Sequence, residues 1–222
     1  QTNIFMINHK FKRIGCKKNM SKLFPELDLT HLKLESIDGE KHIEREYTAY
    51  ARVEDFSWIE DAPEHEHHEQ WEIPYAGETN IRGRLRLINN RRYTEAVKEK
   101  LRSEEGSYEV EFDLSRDAFE MKKKACVNGY SKDRYCFPIP GTNQKWEVDV
   151  FKSKSGGRSD WVKIDLEYNS RQDAVPDFPF AVKEVIIPEM NSTVEAKEMV
   201  NDLWENEWLK LEHSSARGGK VE

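Results

Sequence analysis

Seven stretches of this chain alternate charged and apolar residues with a period of two. On the charged face of most of these stretches the charges are of one sign. In "NIRGRLRLI" (80–88), Arg82, Arg84 and Arg86 share one face, with Gly83, Leu85 and Leu87 on the other. In 94–101 one face carries Thr94, Ala96, Lys98 and Lys100. Glu109, Glu111 and Asp113 oppose Val110, Phe112 and Leu114, while Lys132 and Arg134 fall together. Glu147 and Asp149 oppose Trp146, Val148 and Val150, and Lys163, Asp165 and Glu167 oppose Val162, Ile164 and Leu166. Near the start of the series, in 43–54, Glu44 and Glu46 share a face. Successive side chains of a strand point to opposite faces. The pattern therefore predicts a β-rich chain whose sheet has one apolar and one charged face.

Such a sheet has two outcomes. It can lie open, with its charged face in water. It can also curl, with the charges inside and helices on the outer, apolar face. The separation of basic strands from acidic ones favours curling. A barrel of about eight strands has an interior that holds one small ligand. Unpaired buried charge costs several kcal/mol, so arginines, lysines and carboxylates in such an interior need a partner. Arginine meets phosphate with paired donors. Clustered carboxylates suit a hard divalent cation, which phosphate also ligates. A metal-bound triphosphate satisfies both sets.

The rest of the chain narrows the classes. With 35 Lys and Arg against 42 Asp and Glu, the net charge is −7, which disfavours general nucleic-acid binding. No apolar run reaches membrane-spanning length, and the opening residues lack a signal-peptide core. The cysteines, Cys16, Cys126 and Cys136, are odd in number and lack metal spacing, which predicts a reducing, cytoplasmic setting. A helix is expected over 115–126, capped by Ser115, and a second over 192–212 with an apolar stripe of Val194, Met199, Leu203, Trp204, Trp208 and Leu209. Trp204 and Trp208 are expected in the core. The acidic stretch 54–78 is expected to be a loop or lid. Its His65 and His68 have a helical i,i+3 spacing that a transition metal could use, but with His67, Glu64, Glu66 and Glu69 around them a solvated acidic loop is the plainer reading. "KSKSGGRS" (152–159) reads as a hairpin loop with Gly156 and Gly157 supplying positive φ.

Taken in order, the motifs are E-x-E (Glu44, Glu46), R-x-R, T-x-x-x-K-x-K, E-x-E, K-x-R-Y, W-x-V-D-V-F and D-L-E-Y. "PFAVKEV" and a terminal helix follow. This order resembles the CYTH, or triphosphate tunnel metalloenzyme, superfamily over roughly residues 42–210. The first 40 or so residues, with "F-x-I-N" and a later "x-D-G", resemble the start of a family of sugar-transferring enzymes and are read as an N-terminal extension. The division expected is an extension over 1–41, a tunnel domain over 42–212 and a tail over 213–222.

The CYTH resemblance implies an α+β fold: an antiparallel eight-stranded triphosphate-tunnel barrel flanked by helices. It implies a metal-dependent phosphohydrolase acting on a nucleoside triphosphate, thiamine triphosphate or inorganic tripolyphosphate, with Mg²⁺ or Mn²⁺. Glu44, Glu46 and Lys98 would be catalytic. Arg82, Arg84, Lys98, Lys100, Lys132 and Arg134 would hold phosphates. Glu109, Glu111, Asp149, Asp165 and Glu167 would hold the metal. The same site would serve a non-catalytic binder or sensor of nucleotides or polyphosphate, or a class IV-type adenylyl cyclase. The partner implied is a triphosphate-bearing small molecule, and a dimer is compatible with it. The family's first motif is E-x-E-x-K, and Thr48 stands in the lysine's place. That removes a cation beside the reacting phosphoryl group, so binding is expected to outlast turnover.

Overall fold

The fold is that of a computed structural model, which describes residues 42–44, 46–74, 80–100, 106–168, 175–187 and 194–211. The extension expected over 1–41 and the tail over 213–222 lie outside them. The strands are β1 (His42–Glu44), β2 (Glu46–Val53), β3 (Glu64–Ile73), β4 (Ile81–Ile88), β5 (Arg92–Lys100), β6 (Ser107–Asp113), β7 (Val127–Pro138), β8 (Lys145–Lys152), β9 (Arg158–Glu167), β10 (Val182–Ile186) and β11 (Lys210–Leu211). With two α-helices among the described residues, α1 (Arg116–Lys123) and α2 (Val194–Asp202), the architecture is α+β and mostly antiparallel.

The sheet order is β1-β6-β5-β4-β3-β7-β8-β9-β2-β10, with β11 beside β7. This corrects the expected closed eight-stranded barrel. Among the described residues the sheet has eleven strands, and its hydrogen-bonded path ends at β1 and β10 without closing. The cause lies in how the stretch 42–53 is shared. His42–Glu44 pairs with β6, while Glu46–Val53 pairs with β9 and gives the second edge of its last residues to β10. One position separates the strand at one end of the path from the strand beside the other end. The sheet is therefore strongly curled, and one face of β2 to β9 turns toward a common interior.

The alternation places the apolar residues on the outer face. Ala49, Ala51, Val53, Val148, Val150, Val162, Ile164 and Leu166 are buried there, packed with Trp146 and Tyr135. Trp58, from a 3₁₀ turn at Ser57–Asp61, covers this layer and stacks on Phe180 at 4.3 Å. On the other flank Phe119 of α1 packs on Trp71 and Leu85. Helix α1 begins where Ser115 predicts, its Oγ accepting from the Ala118 N–H at 3.2 Å.

Two expectations fail locally. The acidic stretch does not form a loop: 64–73 is a central strand, hydrogen-bonded to β4 on one edge and β7 on the other. Strand preference depends on context, and a double-edged ladder outweighs the scarcity of β-branched residues here. The helix expected over 192–212 is α2 alone. At Leu203–Glu207 the chain widens into a π turn. Trp208 then bridges Ser153, and 210–211 joins the sheet. The expected stripe is broken accordingly: Leu203 and Trp208 are buried, while Val194, Met199 and Leu209 are exposed.

Candidate functional site

Curling gathers the charged faces around one cavity of about 310 Å³. Its wall takes Gln70 from β3, Arg84 and Arg86 from β4, Lys98 from β5, and Glu109 and Glu111 from β6. It continues through Tyr130, Lys132 and Arg134 of β7, Glu147, Asp149 and Phe151 of β8, Lys163, Asp165 and Glu167 of β9, Glu46 of β2, and Trp204 of the π turn. Six cations face seven carboxylates.

Sign sorting along the strands becomes pairing across the interior. Arg84 donates to Glu109 at 3.1 Å, and Arg86 pairs with Glu111. Lys98 bridges Glu46 at 2.8 Å and Glu109 at 3.8 Å. Asp149, fully buried, receives Nε of Arg134 at 2.7 Å and Nη2 at 2.9 Å, together with the ammonium of Lys132. Arg134 also reaches Glu147, and Lys163 reaches Asp165.

These pairings set the protonation states. Burial alone would raise Asp149, but Arg134 and Lys132 outweigh it and hold the carboxyl well below the usual range. Lys132 is the weaker partner. Burial pushes it down to about 7, and adjacent Arg134 adds to the effect. Burial also opposes the charge on Lys163, yet Asp165 and Asp149 raise it above the ordinary lysine value. Burial, then neighbouring Arg84, lowers Arg86 to about 10. His68, on the same face of β3, is driven down to about 2 by burial and by Lys132, Arg134 and Arg86, so it is neutral.

Like charges also meet directly. Glu46 lies opposite Glu167, and Glu147 lies opposite Asp165, in the ladders joining β2, β9 and β8. Carboxylates facing each other across a ladder are destabilising. This acidic corner sits against the basic one formed by Arg84, Arg86 and Lys98. On the basic side, polar atoms are buried without a hydrogen-bond partner among the described residues: Nε of Arg84, Nε of Arg86, Oγ1 of Thr94 and Nδ1 of His68.

The residues expected from sequence divide as follows. Arg84, Lys98, Lys132, Arg134, Glu46, Glu109, Glu111, Asp149, Asp165 and Glu167 line the cavity. Arg82 and Lys100, at the exposed ends of their strands, do not line it. Glu44 falls within β1, and its side chain lies outside the described residues. Arg86, Glu147 and Lys163 line the cavity without having been given roles, although the alternation alone places them on that face. Gln70, Tyr130, Phe151 and Trp204 carried no comparable signal.

Thr48 donates to Asp165 at 2.8 Å. Lys163, on the neighbouring strand, brings a cation to that same carboxylate. The helical metal spacing of His65 and His68 is overturned: on a strand His65 and His67 share the outer face, both near Asp133, while His68 turns inward. Cys126 and Cys136 are free thiols.

The lining carboxylates do not present a ready metal centre. Among the described residues no group of three or more His, Cys, Asp or Glu side chains is arranged to hold a metal ion. Glu109, Glu111, Asp149 and Asp165 are each drawn onto an arginine or lysine instead. No described helix is long and apolar enough to cross a membrane.

No protein-family model and no curated protein matches the chain. Among solved structures, that of the PH1819 protein from Pyrococcus horikoshii OT3 is similar over 73% of this chain and 92% of that one. Its identity is 16% and its TM-score 0.39, which assigns neither fold nor function.

Proposed function

We propose that the cavity binds the triphosphate group of a small molecule and that the protein is a phosphohydrolase acting on its phosphoanhydride bonds. The observation that carries the binding half is the pair of buried Nε–H donors on Arg84 and Arg86 that have no hydrogen-bond partner among the described residues. A buried donor left unmade costs about 1–3 kcal/mol. Phosphate oxygens are acceptors of the right geometry, and charge-assisted bonds from guanidinium are among the strong ones. Lys98, Lys132 and Arg134 extend the cationic surface along the cavity.

The hydrolytic half rests on the acidic corner. Glu46 and Glu167, opposite each other at the cavity wall, would orient water and take its proton. The water oxygen bonds to the terminal phosphorus as the anhydride P–O bond breaks, giving orthophosphate and a diphosphate. Arginine and lysine stabilise charge on the transferred group. Mg²⁺ or Mn²⁺ belongs to the substrate in this scheme, entering on the phosphate oxygens.

A second reading, binding without turnover, is favoured by Thr48. Its hydroxyl is already engaged by Asp165, and it supplies no positive charge. One experiment separates the two. Nucleoside triphosphates, thiamine triphosphate and tripolyphosphate are offered with Mg²⁺ or Mn²⁺, and binding, phosphate release and product chromatography are read together. Binding with phosphate release supports hydrolysis. Binding without it supports the sensor, and pyrophosphate release with a cyclic nucleotide marks cyclase chemistry. Arg86→Gln is expected to weaken binding at least tenfold, as loss of a charged hydrogen bond of about 1.5–3 kcal/mol implies. If no triphosphate binds, the proposal falls.

A further inference from the structure

The wall made by β2 and β9 is the acidic one. Glu46, Asp165 and Glu167 line the cavity from these strands, and Lys163 is the one cation among their described lining residues. A terminal phosphate that reaches Glu46 and Glu167 therefore comes up against three carboxylates. Like charges repel, and more strongly in a poorly hydrated interior than in water. Lys98 meets Glu46 from across the interior, but it is shared between Glu46 and Glu109. Close approach of a phosphate depends on a cation carried by the acidic wall itself.

Lys163 is placed for that task. It sits between Tyr50 and Asp149 in the ladders, and its ammonium leans along β9 to Asp165. The charge therefore lies level with Thr48 and Glu147, the ladder partners of Asp165. Two residues further along, roughly 7 Å away, Glu46 faces Glu167. The Lys163 side chain is 20% exposed, against 4% for Asp165, so the ammonium has room to turn toward a ligand while the carboxylate stays. Asp165 is held without it. Thr48 donates to its Oδ1 at 2.8 Å, whereas Lys163 uses Oδ2, and the Arg134 guanidinium lies 4.0 Å from that second oxygen. When the ammonium leaves, the carboxylate still has partners. The plain alternative is a fixed ion pair that only neutralises Asp165. Its loss would cost stability and leave turnover untouched.

We propose that Lys163 is a catalytic residue: its ammonium passes from Asp165 to the terminal phosphate and supplies positive charge where that phosphate meets Glu46 and Glu167. This rests on the phosphohydrolase reading above. As the water oxygen bonds to phosphorus and the anhydride P–O bond breaks, the water proton goes to Glu46 or Glu167. Lys163 keeps its own proton and meets the charge on the transferred oxygens. Thr48 anchors Asp165 while the lysine is away, so a neutral residue at 48 does not leave the acidic wall without a cation.

The test uses Mg²⁺ with tripolyphosphate, ATP or thiamine triphosphate. It reads kcat from phosphate release, Kd from calorimetric titration and folding from the melting point. The proteins are wild type, Lys163→Gln, Lys163→Arg and the double variant Thr48→Lys with Lys163→Thr, which returns a lysine to Asp165 from the facing strand. Lys163→Gln is expected to lower kcat roughly 10²–10³-fold, the scale of losing one group that stabilises transition-state charge. Its Kd should change by less than roughly tenfold. Lys163→Arg and the double variant should keep kcat within roughly tenfold of wild type. A kcat in Lys163→Gln close to that of wild type overturns the proposal. So does a double variant that folds and binds yet turns over no faster than Lys163→Gln. If Lys163→Gln does not fold, the double variant decides, retained kcat supporting the proposal and lost kcat overturning it. A wild type that binds a triphosphate without releasing phosphate overturns the role of Lys163 and leaves the binding site standing. One that binds no triphosphate overturns both readings.

Discussion

Lys132 and Arg134 compete for one carboxylate, and the guanidinium holds it with two donors. The lysine is left buried with its proton loosely held, at about 7 against an ordinary 10.5. In that window the unfolded chain holds the proton and the folded chain has lost it. The unfolded state therefore binds more protons, and this group makes stability rise with pH between the two values. A polyanion beside Lys132 favours its charged form again. Ligand binding at about pH 8, between those values, is therefore expected to take up a proton at this site. Calorimetry in buffers of differing ionisation enthalpy measures the uptake. Lys132→Arg, charged throughout, should still bind but with the uptake removed; undiminished uptake in that variant would show that another group supplies the effect.

At the scale of elements, β7 is the member on which most of the site depends. It bears Tyr130, Lys132 and Arg134 inward and pairs with β3, β8 and β11. Its Gly129 lets Trp71 of β3 lie across the outer face. A Cβ there would meet indole Nε1 at 2.5 Å and Cδ1 at 2.6 Å, with Leu211 Cβ at 3.0 Å behind. Trp71 is itself buried, so it has little room to yield. Gly129→Ala is expected to destabilise the fold by about 1–3 kcal/mol through overpacking, measured as a shift in the denaturation midpoint. A neutral result would mean that Trp71 can move.

Strands such as 145–152 and 158–167 were legible because their apolar half is Trp, Val, Ile and Leu at strict period two. The same period showed which face of Arg84, Glu109 and Asp165 turned inward. It could not show where a strand runs out of cavity, which is why Arg82 and Lys100 fell outside. Strand β3 was hidden because its sequence, EHEHHEQWEI, holds one β-branched residue and owes its form to neighbours far along the chain. Trp204 was hidden because helical spacing ran straight through it. The π turn that redirects the chain there is stabilised by tertiary contacts of Trp208 with Phe151 and Tyr50.

For the whole molecule, an interior of paired charges without ligand is a poor source of stability. Such pairs recover little beyond the cost of removing them from water. A ligand that binds only the folded state adds about 2.7 kcal/mol at one hundred times its dissociation constant. If the cavity takes a magnesium triphosphate, thermal unfolding should shift upward with ligand concentration along that relation. Arg86→Gln should need correspondingly more ligand for the same shift. A melting point indifferent to every triphosphate would place the ligand elsewhere or make it of another kind.

The stretch 42–53 has a further consequence, in the order of assembly. The strand series β4-β5-β6 and β7-β8-β9 are built from neighbours in sequence, joined by short connections, and each can form locally. Residues 42–53 have no such neighbour: their partners are β6, β9 and β10, with Thr48 and Asp165 lying 117 positions apart. Closing so long a loop carries an entropic cost that non-local contacts repay only late, and folds dominated by such pairings form slowly. The stretch is therefore expected to seat after the other strands are in place. It also carries Glu46 into the acidic corner, so the interior is expected to acquire its full charge pattern late in folding.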